Sequence, residues 1–126
     1  MIKLVFCLRR QPQISREAFQ RYWREHHGPL MERNFARMGC RSYRQMHTLA
    51  GGLADRVAAS RGGPEPYDGV AEVTWDSLDA MRAATGSDDG RAAGQEMLAD
   101  EKTFIDLENS PIFLTEARYA VDADAD

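Results

Sequence analysis

Residues 2–9, Ile-Lys-Leu-Val-Phe-Cys-Leu-Arg, set Ile2, Leu4, Phe6 and Leu8 against Lys3, Val5, Cys7 and Arg9. This two-residue period is that of a β-strand, whose side chains alternate between the faces of a sheet. One face is strongly apolar. The other keeps Val5 and Cys7 where a water-facing strand would be polar, so the sheet needs cover on both sides.

The rest of the chain supplies partners for that strand. Arg-Gln-Pro-Gln breaks it, Ser15 is placed as an N-cap, and Glu17 suits the first turn of a helix from Arg16 to about His27. Gly28-Pro29 is expected to interrupt that helix before Leu-Met-Glu-Arg-Asn-Phe-Ala-Arg-Met continues it, and Gly39 closes the segment. Residues 41–50 read as a second strand and 67–75 as a third. Between them, residues 51–66 form a long Gly-, Pro- and Ala-rich excursion with one helical turn near Leu-Ala-Asp-Arg-Val-Ala-Ala-Ser. Asp76 is expected to cap a short helix, Ser-Asp-Asp-Gly to separate it from a longer one over about Arg91–Leu107, and residues 111–120 to form the last strand.

The predicted order is β-α-β-β-α-β, an α+β, ferredoxin-like split βαβ pattern with a four-stranded antiparallel sheet. Such a sheet carries helices on one face only. The partly apolar second face must then meet a second protomer or a ligand, and a homodimer is expected. Residues 1–119 are assigned to one domain, and the acidic end, residues 120–126, to a disordered tail.

Several function classes fall away on composition and geometry. No apolar run is long enough for a membrane span, and the apolar part of the N-terminus is too short, and without a small-residue cleavage site, for a signal sequence. Two cysteines, Cys7 and Cys40, are too few for a disulfide framework and suit a reducing cytoplasm. No Gly-rich phosphate cradle is present, so no nucleotide is expected. Nine arginines stand between residues 9 and 44 against Glu17, Glu25 and Glu32. At roughly 100° per residue, however, the arginines of Arg-Tyr-Trp-Arg fall on the opposite side of the helix from its rings. Nucleic-acid stacking needs both on one surface, so no nucleic-acid partner is expected.

The same geometry places Phe19, Trp23 and His26 on one stripe, flanked by Tyr22 and His27, while Glu17, Arg21 and Glu25 form a water-facing i,i+4 series. Both histidines are therefore expected to lean toward the sheet, at a helix end where imidazole titrates near neutrality. Adjacent residues point about 100° apart, and the only other histidine is His47. No spaced set of ligands exists, and no metal is expected. Glu101 is a second polar intruder. It falls among Met97, Leu98, Phe104 and Ile105 on an apolar face, where a carboxylate must find a partner or take up a proton. On the second strand, Tyr43, Gln45 and His47 share one face and Arg44 and Met46 the other. Periodicity leaves open which of them meets the helices.

With the order of elements and Tyr-Trp-Arg-Glu-His-His-Gly-Pro-Leu both in view, the chain resembles the EthD family of the dimeric α+β barrel superfamily. The resemblance spans the first strand, His26 to Leu30, residues 67–81 and residues 99–116. It implies a protomer whose sheet pairs with a second copy into a barrel, with a small pocket between sheet and helices. Relatives in the superfamily include cofactor-free monooxygenases, lactone isomerases, polyketide cyclases and haem-binding enzymes, while EthD itself is named for an ether-degradation cluster. By position, His26 and His27 carry over as the motif histidines, and Asp100, Glu101 and Phe104 as the second-helix motif.

The expected function is a small oxidoreductase or isomerase of the EthD type, acting without a cofactor on an apolar or aromatic metabolite by histidine acid–base chemistry. His26, His27 and Glu101 are the candidate catalytic groups. Tyr22, Trp23, Tyr43, His47, Met97 and Phe104 are the candidate ligand contacts. The alternatives are a non-catalytic ligand-binding or accessory protein using the same pocket, and a haem protein with a histidine axial ligand.

Overall fold

In the computed structural model, which describes residues 1–123, four strands form one antiparallel sheet. The strands are β1 (Ile2–Leu8), β2 (Ser42–His47), β3 (Gly69–Trp75) and β4 (Ile112–Thr115), in the order β2-β3-β1-β4. Helices α1 (Arg16–Tyr22), α2 (Gly28–Asn34), α3 (Gly52–Ala59), α4 (Leu78–Thr85) and α5 (Asp88–Glu101) complete a ferredoxin-like α+β fold. Of the acidic tail, residues 120–123 are exposed and carry neither helix nor strand; the remainder lies outside the described residues.

The register sorts the side chains by face. Leu4 pairs with Val73 and Phe6 with Ala71, while Tyr43 and Gln45 of β2 stand opposite Val73 and Ala71. These residues meet the helices, so the face left open by the sequence is settled in favour of Tyr43, Gln45 and His47. Val5, Cys7, Met46, Val70 and Phe113 lie on the other face beside the Lys3–Glu72 ion pair (2.9 Å). No helix of the described residues covers it.

Two core clusters fill the space between sheet and helices. One is built on Phe6, Leu8, Phe19, Trp23 and Phe104, the other on Leu30, Met31, Val73, Trp75 and Met97. Gly69 permits the first, since a Cβ there would lie 2.4 Å from the Trp23 ring. Burial of rings of this size supplies about 2–3 kcal/mol each.

Local details correct five expectations. Gly28-Pro29 does not break the helix. Trp23–His27 form a π turn between α1 and α2, in which the Gly28 N–H reaches back to the Trp23 carbonyl and Pro29 begins the next segment. A proline deprives a helix of one donor, and the wider turn takes up the mismatch. The short helix is capped by Ser77 through the Ala80 N–H, not by Asp76. Ser87 likewise caps α5, so Asp88 and Asp89 form its first turn rather than a separator, favourably placed at the positive end of the dipole. Finally, α5 ends at Glu101, and a short 3₁₀ turn, Leu107–Asn109, follows where helix was expected. The excursion holds a two-turn helix, α3, instead of one turn. The Ser15 cap stands as read, while α2 ends at Asn34 and the turns that follow it, not the helix itself, close at Gly39 with φ +66°.

Candidate active site

The π turn decides which histidine enters the interior. Residues in such a turn advance by less than the usual 100°, so the inward stripe runs Phe19–Trp23–His27 instead of Phe19–Trp23–His26. His27 is buried, its side chain only 6% exposed, whereas that of His26 is 57% exposed and stacks outside on Tyr22 (centroids 4.7 Å apart). The expectation that both lean inward is therefore corrected: His27 does and His26 does not.

His27 meets the end of α5. Its Nδ1 lies 2.7 Å from Oδ2 of Asp100, and its Nε2 lies 3.9 Å from Oε2 of Glu101. The other Asp100 oxygen accepts the Tyr22 hydroxyl and lies 3.5 Å from Nε2 of His26. Asp100 thus holds Nδ1–H of a neutral His27, which leaves the Nε2 lone pair directed inward. Phe104 closes the rear of this group, packing on His27, Tyr22 and Phe19 at centroid distances of 5.2, 4.8 and 5.4 Å.

Burial governs the titration of the three groups. It pushes the His27 pKa below its ordinary value, and Asp100, which pulls the other way, does not fully offset it. It raises the Tyr22 hydroxyl, with the Asp100 hydrogen bond adding to the effect. Glu101 is pushed up to about 7, first by burial and then by repulsion from Asp100. Near neutrality, this acid carries its proton in part of the population while the adjacent imidazole is neutral.

Both groups line a cavity of about 160 Å³ between sheet and helices. Leu4, Phe6 and Val73 form its floor, and Trp23, Met31 and Met97 its roof. The Tyr43 hydroxyl, which accepts Nε2–H of Gln45 at 2.9 Å, adds a third polar group to the lining. Of the six residues expected to touch a ligand, Trp23, Tyr43 and Met97 line this space. Tyr22 and Phe104 support it from behind. His47 stacks on the far side of Trp23 at 4.5 Å and bonds Gln45 Oε1 at 2.9 Å, away from the cavity. Among the described residues, no group of three or more His, Cys, Asp or Glu side chains is arranged to hold a metal ion, and no helix is long and apolar enough to cross a membrane.

Asp100 was not among the candidate catalytic groups, yet it orients the histidine. A signal was present. Asp100 and Glu101 occupy the last turn of α5, with no basic residue there, where the helix dipole disfavours negative charge. Two acids at that end conflict with local preference, and such conflicts concentrate at functional sites.

The strand order β2-β3-β1-β4, with the helices on one face, defines the ferredoxin-like class. The family model of the EthD domain matches residues 11–108, and the chain belongs to that family. Solved structures agree on the fold. An EthD family protein from Bacillus halodurans is 20% identical, with 93% of this chain and 98% of that one covered and a TM-score of 0.58. A dimeric ferredoxin-like protein of unknown function from Thermobifida fusca is 17% identical over 92% and 90% of the two chains, with a TM-score of 0.57. A Deinococcus radiodurans protein provisionally named an antibiotic biosynthesis monooxygenase is 16% identical over 99% and 100%, with a TM-score of 0.55. No curated protein sequence matches the chain.

Proposed function

We propose that this EthD protein is a homodimeric small-molecule enzyme. It binds an apolar or aromatic metabolite in the sheet–helix cavity and transfers a proton to and from it through His27. The observation that carries this reading is the buried imidazole of His27, fixed on one nitrogen by Asp100 and presenting the other to an apolar chamber. An imidazole kept neutral by burial is free to take a proton at Nε2 and to return it, and desolvation strengthens every electrostatic contact around it. Glu101 is the complementary acid. Oxygenation of an activated phenol and isomerisation of a lactone both begin with removal of such a proton, and the provisional name of the Deinococcus protein accords with the first. The homodimer follows from the uncovered apolar face bearing Val5, Cys7 and Phe113, and the Thermobifida protein of the same fold is described as dimeric.

The test is turnover of a panel of phenols and unsaturated lactones, followed by oxygen uptake and by chromatography of products. His27→Ala is expected to lower turnover by about 10²–10⁴-fold with melting temperature and dimer mass unchanged. An H27A protein as active as the parent contradicts the proposal, and ligands recovered unchanged from the parent enzyme favour a binding or accessory role.

A further inference from the structure

The dimensions and polarity of the cavity restrict its ligand further, on the footing of the acid–base reading above. We infer that the site enolises an uncharged carbonyl compound of one ring, with His27 removing the α-proton and Glu101 protonating the carbonyl oxygen.

Size is the first argument. An apolar cavity of about 150 Å³ accommodates a single benzene ring, and the cavity here is about 160 Å³. Charge is the second. Among the described residues lining it there is no Lys or Arg, and its ionisable groups are His27, Glu101 and Tyr43. A carboxylate ligand would find no cation to replace its water and would face Glu101, so an anion is rejected. Geometry is the third. Bond lengths of about 1.23 and 1.52 Å place a carbonyl oxygen and its α-carbon about 2.4 Å apart. The His27 Nε2 and Glu101 Oε2 atoms, 3.9 Å apart, can therefore approach the α-hydrogen and the oxygen of one molecule together.

The step balances without an oxidant. The C–H bond breaks, its proton goes to Nε2, its electron pair forms the C=C bond, and the carbonyl π pair moves to the oxygen, which takes the Glu101 proton. In reverse, the Nε2 proton returns to the carbon and the enol O–H proton to Glu101.

The entrance is also visible. Gly94, in the middle of α5, and Ile112, on the edge strand, both line the cavity, and both are partly open to solvent. A Cβ on Gly94 would meet nothing within 4 Å. Glycine inside a helix costs about 0.5–1 kcal/mol relative to alanine, and here it keeps volume free beside the opening. A larger side chain at 94 fills the ligand's space without touching the acid–base pair.

Deuterium uptake in D₂O, read by proton NMR and taken relative to each ketone's rate in buffer, tests this with cyclohexanone, 2-decalone and 4-oxocyclohexanecarboxylate. Cyclohexanone exchange is expected to be accelerated by at least about 10²-fold, as positioned acid–base groups provide, and the other two are expected to stay at the buffer rate. His27→Ala should abolish the acceleration, Glu101→Gln should reduce it by at least tenfold, and Gly94→Leu should abolish it with an unchanged melting temperature. Equal or greater acceleration of 2-decalone or the oxo-acid, lost in H27A, overturns the one-ring, uncharged assignment and leaves the proposed function standing. Acceleration that survives G94L overturns the assignment to this cavity. No acceleration of any ketone overturns the enolisation step, while oxygen uptake and lactone turnover continue to judge the wider reading.

Discussion

Two carboxyl groups taken out of water in this protein behave in opposite ways. Asp68, on the turn into β3, has a side chain only 4% exposed. Burial pushes its pKa upward, but the Arg10 N–H at 2.8 Å, the Arg16 guanidinium at 2.9 Å and the Arg10 guanidinium hold it below the ordinary carboxylate range. Glu101, its side chain 19% exposed, has among the described residues only His27 Nε2 as an ion-pair partner, at 3.9 Å; burial raises its pKa and Asp100 pushes it further up. One charge is fully answered and ties the segment after β1 and the start of α1 to the turn into β3. The other is left unanswered beside a cavity. On the proposed function, the difference separates a structural carboxylate from a candidate acid more sharply than burial alone does.

The largest effect that would break this contrast is on the reactive side. His27→Ala is expected to lose about 10²–10⁴-fold in turnover, whereas His26→Ala, outside the cavity, should stay within about threefold. Comparable losses in both would erase the distinction between the two histidines. On the structural side, Asp68→Ala leaves two arginines unpaired and should cost about 3 kcal/mol in urea unfolding, with turnover per folded molecule retained.

The pH dependence sharpens the comparison, because the two signs are opposite. Asp68 has a depressed folded pKa, so its contribution is present above the unfolded value of 3.8 and is lost as pH falls. Glu101 has a raised one. Its contribution is present below 4.5 and is lost as pH rises through about 7. Glu101→Gln should therefore stabilise the protein above pH 7, by up to about 3 kcal/mol, and change little below pH 4.5, as read from unfolding curves across pH. A variant destabilised at pH 8 would show that Glu101 is an answered charge after all. The smallest effect is that of Gly94→Ala, expected to add about 0.5–1 kcal/mol by removing backbone freedom from the unfolded chain.

Most of the fold is legible in the sequence because the strands alternate cleanly and their order admits few topologies. The Ser15 cap and the Gly39 turn depend on residues within one turn of themselves. The errors share a cause. Ser77 and Ser87 compete with neighbouring aspartates for the cap, and only backbone direction decides between them. The α5 terminus was overrun because Phe104 and Ile105 keep the helical period after the helix has ended, their burial coming from Tyr22, Phe19 and the Arg10–Ile105 bridge.

The site was half legible for a comparable reason. A buried polar group at Glu101 and an inward histidine follow from a 3.6-residue period. Which histidine turns inward depends on one extra residue in a π turn, and that follows from how Pro29 is accommodated rather than from any local preference of His26 or His27. Asp100 acquires its role only when α5 crosses the end of that turn.

Nitrogen-15 NMR of the His27 imidazole tests the central claim most directly. The expected result is a neutral ring protonated on Nδ1, with a pKa below 6.5, whose proton moves to Nε2 in Asp100→Asn. A ring protonated on Nε2 in the parent protein, or one unaffected by D100N, would contradict it.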